Sequence, residues 1–313
     1  MKVALTGGTG LVGPLLIDRL LARGHSVRAL TRPRAGRTLA ARAGVEWVEG
    51  RLDEIAPIER LVDGADVVMH AAFERSGLEP VPVSGRSDAE HYVQSNFAGS
   101  MRLLERVPGL GCRQLIYVSS LAVYGHEPDT DPLQVRTPRD EWFPLWPREF
   151  YGAMRAAVEK LCHAAAHAYS LNVSVFRLGL VLGRRTTFDE TPCASSVMEA
   201  LRHSELRGRH GSYVIAAEDA AEILAGAVGD AGLRGEVFNT VDRWLDFREL
   251  APLLSTMLGR PVVAVCEPAP PPRVPIVCER IRARYGAWRT DAALRALLEL
   301  LVREGRERLA AAR

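Results

Sequence analysis

The stretch Val3-Ala4-Leu5-Thr6-Gly7-Gly8-Thr9-Gly10-Leu11-Val12-Gly13 decides the fold of this chain. An apolar strand pattern runs into glycines at a fixed spacing, and an apolar helix pattern follows. In such a unit Gly7 makes the tight turn, Gly10 lets the backbone approach a pyrophosphate, and Gly13 lets the helix pack on its strand. The helix N-terminus then offers N–H groups to the phosphate oxygens. The stretch predicts a dinucleotide-binding site, with a purely structural Gly-rich turn as the alternative.

Strand and helix patterns alternate through the first part of the chain. The strands read as continuous apolar runs, as expected where helices cover both faces of a parallel sheet. The sequence therefore predicts an α/β fold, a Rossmann-type doubly wound parallel sheet. Its predicted strands are Lys2 to Thr6, Ser26 to Thr31, Val45 to Val48, Asp66 to Met69, Gln114 to Ser119 and Asn172 to Arg177, with helices at Leu11 to Ala22, Glu90 to Val107 and Tyr151 to Tyr169.

The rhythm changes beyond Leu180. The polar stretch from Gly183 to Gly211 predicts a loop or lid, which is where substrate-binding residues often lie. Shorter elements follow at Tyr213 to Ala216, Ala220 to Val228, Glu236 to Asn239 and Val262 to Val265, then a proline-rich turn from Pro268 to Pro275 and a helix from Asp291 to Leu309. We predict a dinucleotide-binding domain over residues 1–180 and a small, mainly substrate-binding C-terminal section over residues 181–313 that partly returns to the core.

Composition excludes several classes of partner. The 313 residues are 47% hydrophobic and carry a net charge of +2, so neither nucleic acid nor an anionic membrane surface is indicated. No apolar run suggests a signal peptide or a membrane span, which predicts a cytoplasmic protein. The cysteines lack C-x-x-C spacing and are expected to be reduced, mostly buried thiols; they are Cys112, Cys162, Cys193, Cys266 and Cys278.

Further motifs follow the glycines in a characteristic order. His70-Ala71-Ala72 comes after the fourth strand, Asn96 lies in a long helix, Ser119-Ser120-Leu121-Ala122-Val123-Tyr124-Gly125 ends the fifth strand, and Tyr151 begins the next helix. This ordered set resembles the extended short-chain dehydrogenase/reductase family, in its epimerase and dehydratase branch. The resemblance covers nearly the whole chain.

The resemblance implies the catalytic residues. In the family a tyrosine exchanges a proton with a substrate hydroxyl or carbonyl while a nicotinamide exchanges a hydride at the same carbon. Tyr151 matches that tyrosine, and Ser120 matches the serine that hydrogen-bonds the reacting oxygen, with Ser119 as the lesser choice. The family has a lysine four residues after the tyrosine, whereas this chain has Arg155. Arginine keeps the charge on the same helical face, but it does not release a proton as lysine does.

The resemblance also implies a cofactor site. Its expected members are Gly7, Gly10, Leu11, Val12, Gly13, Arg32, Leu52, Ala71, Ala72, Asn96, Tyr151 and Arg155.

The end of the second strand bears on the choice of cofactor. An acidic residue there binds the ribose 2′-hydroxyl of NAD, whereas an arginine accommodates the 2′-phosphate of NADP. This chain has Arg32, followed by Arg34 and Arg37, which favours NADP, with NAD as the alternative. In the alternative interpretation, these arginines belong to a solvated loop and bind no phosphate. Arg51 stands where the family often carries an aspartate that holds the adenine, so adenine binding is less well supported.

Three other polar positions have structural interpretations. His70 is expected to pack beneath the cofactor, and Asn96 either holds a helix distortion or is simply a polar helix residue. His163 and His167 have the spacing of a two-histidine metal site, but no H-E-x-x-H pattern accompanies them, and we predict no metal.

Two functions follow as hypotheses. The first is an NAD(P)-dependent oxidoreductase or epimerase that acts on a secondary alcohol or ketone of a small molecule. Dehydration is disfavoured, because Leu121-Ala122 stands where 4,6-dehydratases carry an Asp-Glu pair. The second is a non-redox cofactor-binding sensor or a degenerate family member, which Arg155 and Arg51 favour. The resemblance further implies a homodimer formed through the helices that carry Asn96 and Tyr151.

Overall fold

The alternation of strands and helices is present in the computed structural model, which describes residues 1–32, 43–74, 86–125, 138–207, 211–265, 275–286 and 288–311. The strands are β1 (Lys2–Thr6), β2 (Ser26–Thr31), β3 (Val45–Glu49), β4 (Val67–His70), β5 (Gln114–Ser120), β6 (Asn172–Leu178), β7 (Leu180–Leu182), β8 (Glu205–Arg207), β9 (Gly211–Ala216), β10 (Val237–Thr240), β11 (Arg243–Asp246) and β12 (Val263–Val265). The α-helices are α1 (Gly13–Ala22), α2 (Ile55–Val62), α3 (Arg86–Val93), α4 (Gly99–Arg106), α5 (Phe150–Tyr169), α6 (Ala194–His203), α7 (Ala217–Gly226), α8 (Leu250–Leu258), α9 (Glu279–Arg284) and α10 (Thr290–Ala311).

The main sheet has the order β10-β6-β5-β4-β1-β2-β3, and all its pairs are parallel. The chain moves outward from β1 to β3, then returns to β4 on the other side of β1. The predicted doubly wound parallel fold is therefore confirmed. Ligands of such sheets bind at the carboxyl ends of the strands, where the order reverses. That point lies between β1 and β4.

Alternate residues of β1 show how the layers form. Val3 and Leu5 join a core cluster with α1 and α7, whereas Ala4 joins the cluster on the opposite face with α2, α4 and α5. This follows from the two-residue period of a strand. The sheet is thus covered on both faces, as its apolar strands require.

The C-terminal part contributes both to the main sheet and to a core of its own. Strand β10 pairs with β6 at the edge of the main sheet. A separate buried cluster includes Val197 of α6, Leu254 of α8 and Leu298 of α10, beside the short sheet β11-β9-β7. Among the described residues, no helix is long and apolar enough to cross a bilayer.

Two expectations about individual elements are wrong. The stretch from Gly183 to Gly211 is not simply a loop, because it contains α6 and β8. Helix α6 was not predicted because its buried face has only three residues, Ala194, Val197 and Ala200, which give a weak apolar pattern. The predicted helix from Glu90 to Val107 is divided by a π-helical turn, Gln94–Ala98. Several positions considered above lie outside the described residues: Arg34, Arg37, Arg209, Cys266 and the proline-rich turn before Pro275.

Candidate active site

The glycine loop after β1 is closely packed on the segment that follows β4. Gly7 has φ +82°, and a Cβ there would lie 2.8 Å from the backbone of Ala71 and Ala72. A Cβ on Gly13 would lie 2.4 Å from the Gly8 carbonyl carbon. At Gly10, by contrast, only the Gly7 carbonyl oxygen lies near, at 3.2 Å. Gly7 and Gly13 are therefore needed for close packing, whereas Gly10 leaves space.

Helix α1 begins at Gly13, directly after this loop. No side chain caps the helix, Pro14 occupies its first turn, and no acidic residue lies there. Backbone N–H groups at such an end attract phosphate oxygens. The loop and the helix N-terminus thus offer backbone N–H groups that suit a dinucleotide pyrophosphate, the ligand that the glycine spacing predicts.

A chain of hydrogen bonds connects the glycine loop with the π-helical turn. The Ala72 N–H donates to Thr6 Oγ1, which lies 2.7 Å from His70 Nδ1. His70 Nε2 lies 2.8 Å from Ser100 Oγ, which donates to the Asn96 carbonyl. Each donor in this chain has an acceptor when His70 is neutral and carries its proton on Nε2. Burial, assisted by the charge of Arg155, lowers the pKa of His70 to about 3.

Asn96 fixes the segment after β4. Its Oδ1 accepts from the Glu74 N–H at 2.7 Å, and its Nδ2 donates to the Glu74 carbonyl at 2.9 Å. The π-helical turn, with its extra residue per turn, presents Asn96 for this pair of bonds. Asn96 thus lies in a distorted helical turn, the first of the two alternatives.

Tyr151 and Arg155 lie together at the start of α5. The guanidinium carbon of Arg155 is 5.5 Å from the Tyr151 ring centroid and 4.3 Å from that of Phe73. Phe73 also meets the Tyr151 ring edge to face, at 4.8 Å between centroids. Phe73 was not predicted from the sequence; its signal was an aromatic residue directly after the Ala71-Ala72 pair.

Arg155 is buried without a carboxylate beside it. Its Nη1 donates to the Val118 carbonyl at 2.8 Å and lies 3.4 Å from the Tyr117 hydroxyl. It forms no ion pair with a carboxylate of the described residues, and its Nε has no hydrogen-bond partner among them. Burial by itself lowers the pKa of Arg155, but attraction to Tyr151 and Tyr117 outweighs burial and raises it.

The two tyrosines beside Arg155 differ in exposure. Tyr117 is 1% exposed, and burial raises its pKa, so that it stays protonated. Tyr151 is only partly buried. Of the two side chains, that of Tyr151 is therefore the more accessible.

Ser120 follows β5 and begins a short 3₁₀ turn, Leu121–Tyr124. Its Oγ accepts from the Ala122 N–H at 3.2 Å, and no described residue accepts its proton. The Ser119 Oγ is buried and has no hydrogen-bond partner among the described residues. Ser120 is therefore positioned to donate a hydrogen bond, whereas Ser119 faces the interior.

A second buried arginine lies one strand away. Arg177 of β6 binds both oxygens of Glu159, with Nη2 to Oε2 at 2.8 Å, and donates to the Tyr124 hydroxyl at 2.5 Å. Tyr124 in turn lies 2.8 Å from Asn239 Oδ1 on β10. Sequence reasoning missed this network; its signal was charge at buried positions of a strand and a helix.

A cluster of charges surrounds Glu74, in the segments that follow β2 and β4. Arg51 Nη2 lies 3.3 Å from Glu74 Oε2, and Arg32 Nη1 lies 3.6 Å from Oε1. His91 Nε2 lies 3.1 Å from the same Oε1, and Arg51 Nε lies 3.1 Å from Asp53 Oδ1. Burial raises the pKa of Glu74, but hydrogen bonding to His91 and the charge of Arg51 outweigh it and lower the pKa.

The remaining predicted residues divide between this cleft and the surrounding core. Leu52 packs against Gly99, where a Cβ would lie 2.9 Å from Leu52 Cγ, and so supports the end of the π-helical turn. Leu11 and Val12 lie in the glycine loop and are partly buried. Arg184 forms an ion pair with Glu304 at 3.0 Å. The described residues contain no group of three or more His, Cys, Asp or Glu side chains placed to hold a metal ion.

Comparisons with known proteins concern the family and the fold of this chain. The NAD dependent epimerase/dehydratase family matches residues 3–239. A UDP-glucose 4-epimerase of Streptomyces lividans is 31% identical over 174 residues, 54% of this chain and 49% of the relative. A 4-hydroxy-2-methyl-3-oxo-4-farnesyl-3,4-dihydroquinoline-1-oxide ketoreductase of Stigmatella aurantiaca is 28% identical over 248 residues, 77% of this chain and 68% of the relative.

The match to the Streptomyces epimerase thus spans about half the length of that protein. Among solved structures, a short-chain dehydrogenase/reductase superfamily protein of Agrobacterium tumefaciens with bound NAD superposes with a TM-score of 0.78. It is 21% identical and covers 100% of both chains, so the likeness concerns the fold. The family match extends over most of the chain and over the whole cleft between β1, β4 and α5. The chain belongs to the NAD dependent epimerase/dehydratase family.

Proposed function

We propose that this protein is a nicotinamide-dinucleotide-dependent oxidoreductase or epimerase that acts on a secondary alcohol or ketone of a small molecule. One observation carries the proposal. The partly exposed Tyr151 lies beside the buried Arg155, whose charge is not neutralised by a carboxylate of the described residues. A cation so placed stabilises the phenolate form of the tyrosine.

In this proposal Tyr151 gives a proton to the substrate oxygen or takes one from it. Ser120 donates a hydrogen bond to the same oxygen, since its hydroxyl proton is not used by a described residue. Arg155 stays charged throughout, because its donors are held by Val118 and Tyr117 and its pKa is raised. The proton that Tyr151 exchanges therefore passes to solvent or substrate and not through Arg155.

The cleft also determines how a dinucleotide is held. Backbone groups of Gly7, Gly10 and Gly13 and the start of α1 would hold the pyrophosphate, and Ala71 and Ala72 would line the inner half of the cleft. When bound, the nicotinamide supplies or accepts the hydride. Arg32 at the end of β2 supports NADP, with NAD, which the Agrobacterium neighbour holds, as the alternative.

The substrate class is proposed from the relatives and from residues 181–313. The names of the relatives include sugar-nucleotide epimerases and a ketoreductase of a quinoline oxide. We propose that the substrate of this chain has a reacting carbon that alternates between alcohol and ketone, and that residues 181–313 select between a sugar nucleotide and an aromatic ketone. The homodimer and the cytoplasmic location stay predictions.

A degenerate, non-redox family member is the second candidate. Arg155 favours it, because the arginine is held by protein groups and does not relay a proton. In this case the cleft binds a dinucleotide without turnover. The retained pairing of Tyr151 with a cation favours the enzyme.

The test is titration of the purified protein with NADPH and NADH, followed by nicotinamide fluorescence. Hydride transfer to sugar-nucleotide and aromatic ketones is then measured. We expect Tyr151→Phe to abolish transfer while cofactor binding stays nearly intact. Tyr169→Phe, at an exposed tyrosine on the same helix, serves as the matched control and leaves both unchanged. Absence of binding by either cofactor overturns the proposal, and binding without transfer to any ketone supports the degenerate member.

A further inference from the structure

The Glu74 carboxylate bridges Arg32 and Arg51 near the end of β2, where the adenosine of the proposed cofactor would lie. Glu74 follows β4 and Arg32 follows β2, and these strands lie on opposite sides of β1. Their side chains come within 3.6 Å of each other. The ion pair therefore joins the segments that follow the two strands flanking β1.

The position of Glu74 does not depend on its carboxylate. Asn96 binds both the N–H and the carbonyl of Glu74, so the backbone is held by the π-helical turn. The side chain is 24% exposed, against 34% for Arg51 and 60% for Arg32. Glu74 is thus a half-buried anion whose backbone is held in place, and the more exposed arginine side chains contact it.

Among the described residues of the cluster, two arginines face two carboxylates. Arg51 contacts both Glu74 and Asp53, and Arg32 contacts Glu74. A 2′-phosphate adds a charge of about −1.5 to −2 and needs cationic donors, whereas a ribose 2′-hydroxyl is neutral and needs an acceptor. While Glu74 is ionised beside both arginines, its charge offsets part of the attraction that the pair exerts on a phosphate.

We propose that Glu74 sets the choice between the two nicotinamide dinucleotides by acting as the internal counter-ion of Arg32 and Arg51. With Glu74 ionised, part of what Arg32 and Arg51 contribute to binding a 2′-phosphate is offset, so the preference for NADPH is smaller than the arginines alone would give. With that charge removed, Arg32 and Arg51 become a phosphate-binding pair. This inference rests on the proposed function, because it concerns the adenosine end of the same cofactor site.

The experiment measures dissociation constants of NADPH and NADH for the wild type, Glu74→Gln, Arg32→Ala and the double variant. We expect Glu74→Gln to change the ratio of the two constants about tenfold in favour of NADPH. In the Arg32→Ala background, Glu74→Gln should change the ratio much less, because Arg32 is no longer present to bind the 2′-phosphate. Glu105→Gln removes an exposed carboxylate on α4 that pairs with Arg106, and should leave the ratio unchanged.

A second readout uses fragments without nicotinamide, adenosine 2′,5′-bisphosphate against adenosine 5′-monophosphate, by calorimetry. The bisphosphate should gain affinity in Glu74→Gln and the monophosphate much less. Equal changes for both nucleotides, or a gain that persists without Arg32, overturn the inference while leaving the proposed function in place. Failure of the wild type and all variants to bind any of these nucleotides overturns both.

Discussion

Two buried arginines, Arg155 and Arg177, lie on neighbouring elements and are stabilised in different ways. Arg177 binds both oxygens of Glu159, so its charge is neutralised where it lies. Arg155 is four residues before Glu159 on the same helix, at a spacing that allows pairing, yet its contacts are a carbonyl and aromatic rings. A neutralised charge stabilises the fold, whereas an uncompensated one remains available to act on a neighbour. We propose Tyr151 as that neighbour.

The same substitution at both arginines tests the contrast, and the largest effect is expected at Arg177. Arg177→Met leaves the Glu159 carboxylate, which is 1% exposed, without its partner. Removal of one member of a buried ion pair costs about 3–5 kcal/mol. We expect a fall of that size in the free energy of unfolding by urea denaturation. Adding Glu159→Leu to Arg177→Met should recover part of the lost free energy of unfolding. No recovery would contradict the conclusion that the unpaired Glu159 carboxylate causes the loss.

His70 extends the comparison to a buried group that stays neutral. Its pKa is lowered to about 3 by burial and by Arg155, against 6.5 in an unfolded chain. As the pH falls below 6.5, the unfolded chain gains a proton that the folded protein does not, and stability falls. Between pH 7 and pH 4.5 this group costs on the order of 2–3 kcal/mol. His70→Asn should flatten the pH dependence of the urea midpoint, and His203→Asn, at an exposed position, should not.

Arg155→Met should change stability less than Arg177→Met does. No described carboxylate is left behind, and methionine fills part of the space with a side chain that needs no hydrogen bonds. We expect a change within about 1–2 kcal/mol in the free energy of unfolding. A loss as large as that of Arg177→Met would show that Arg155 also belongs to an ion pair.

The smallest effect is expected at Phe73, whose ring lies 4.3 Å from the Arg155 guanidinium carbon. Phe73→Leu keeps an apolar side chain but removes the ring. A cation–π contact of this kind contributes about 0.5–2 kcal/mol. A double-mutant cycle with Arg155→Met isolates that energy. Additive losses would contradict a direct contribution of the ring.

The extent of sequence-based prediction differs between the two arginines. The family resemblance implied Tyr151 and Arg155 as a pair, and their spacing of four residues places them on one helical face. The glycine loop follows from its strand-turn-helix pattern. The pairing of Arg177 with Glu159 depends on which helix packs on β6, which local patterns do not specify. The bridge from Glu74 to Arg32 likewise depends on the order of the strands and on the π-helical turn at Asn96. Helix α6 was missed because its few buried residues are small.

The most direct test of the account is the ionisation of Tyr151 followed by tyrosinate absorbance, since it needs no substrate. Spectra are recorded against pH for the wild type, Tyr151→Phe, Arg155→Met and the double variant, and subtraction of the matching Phe variant isolates the Tyr151 signal in each background. The account predicts that the phenolate forms at lower pH in the wild type than in Arg155→Met, because a buried cation with no described carboxylate beside it stabilises the anion. The same midpoint in both backgrounds would contradict it.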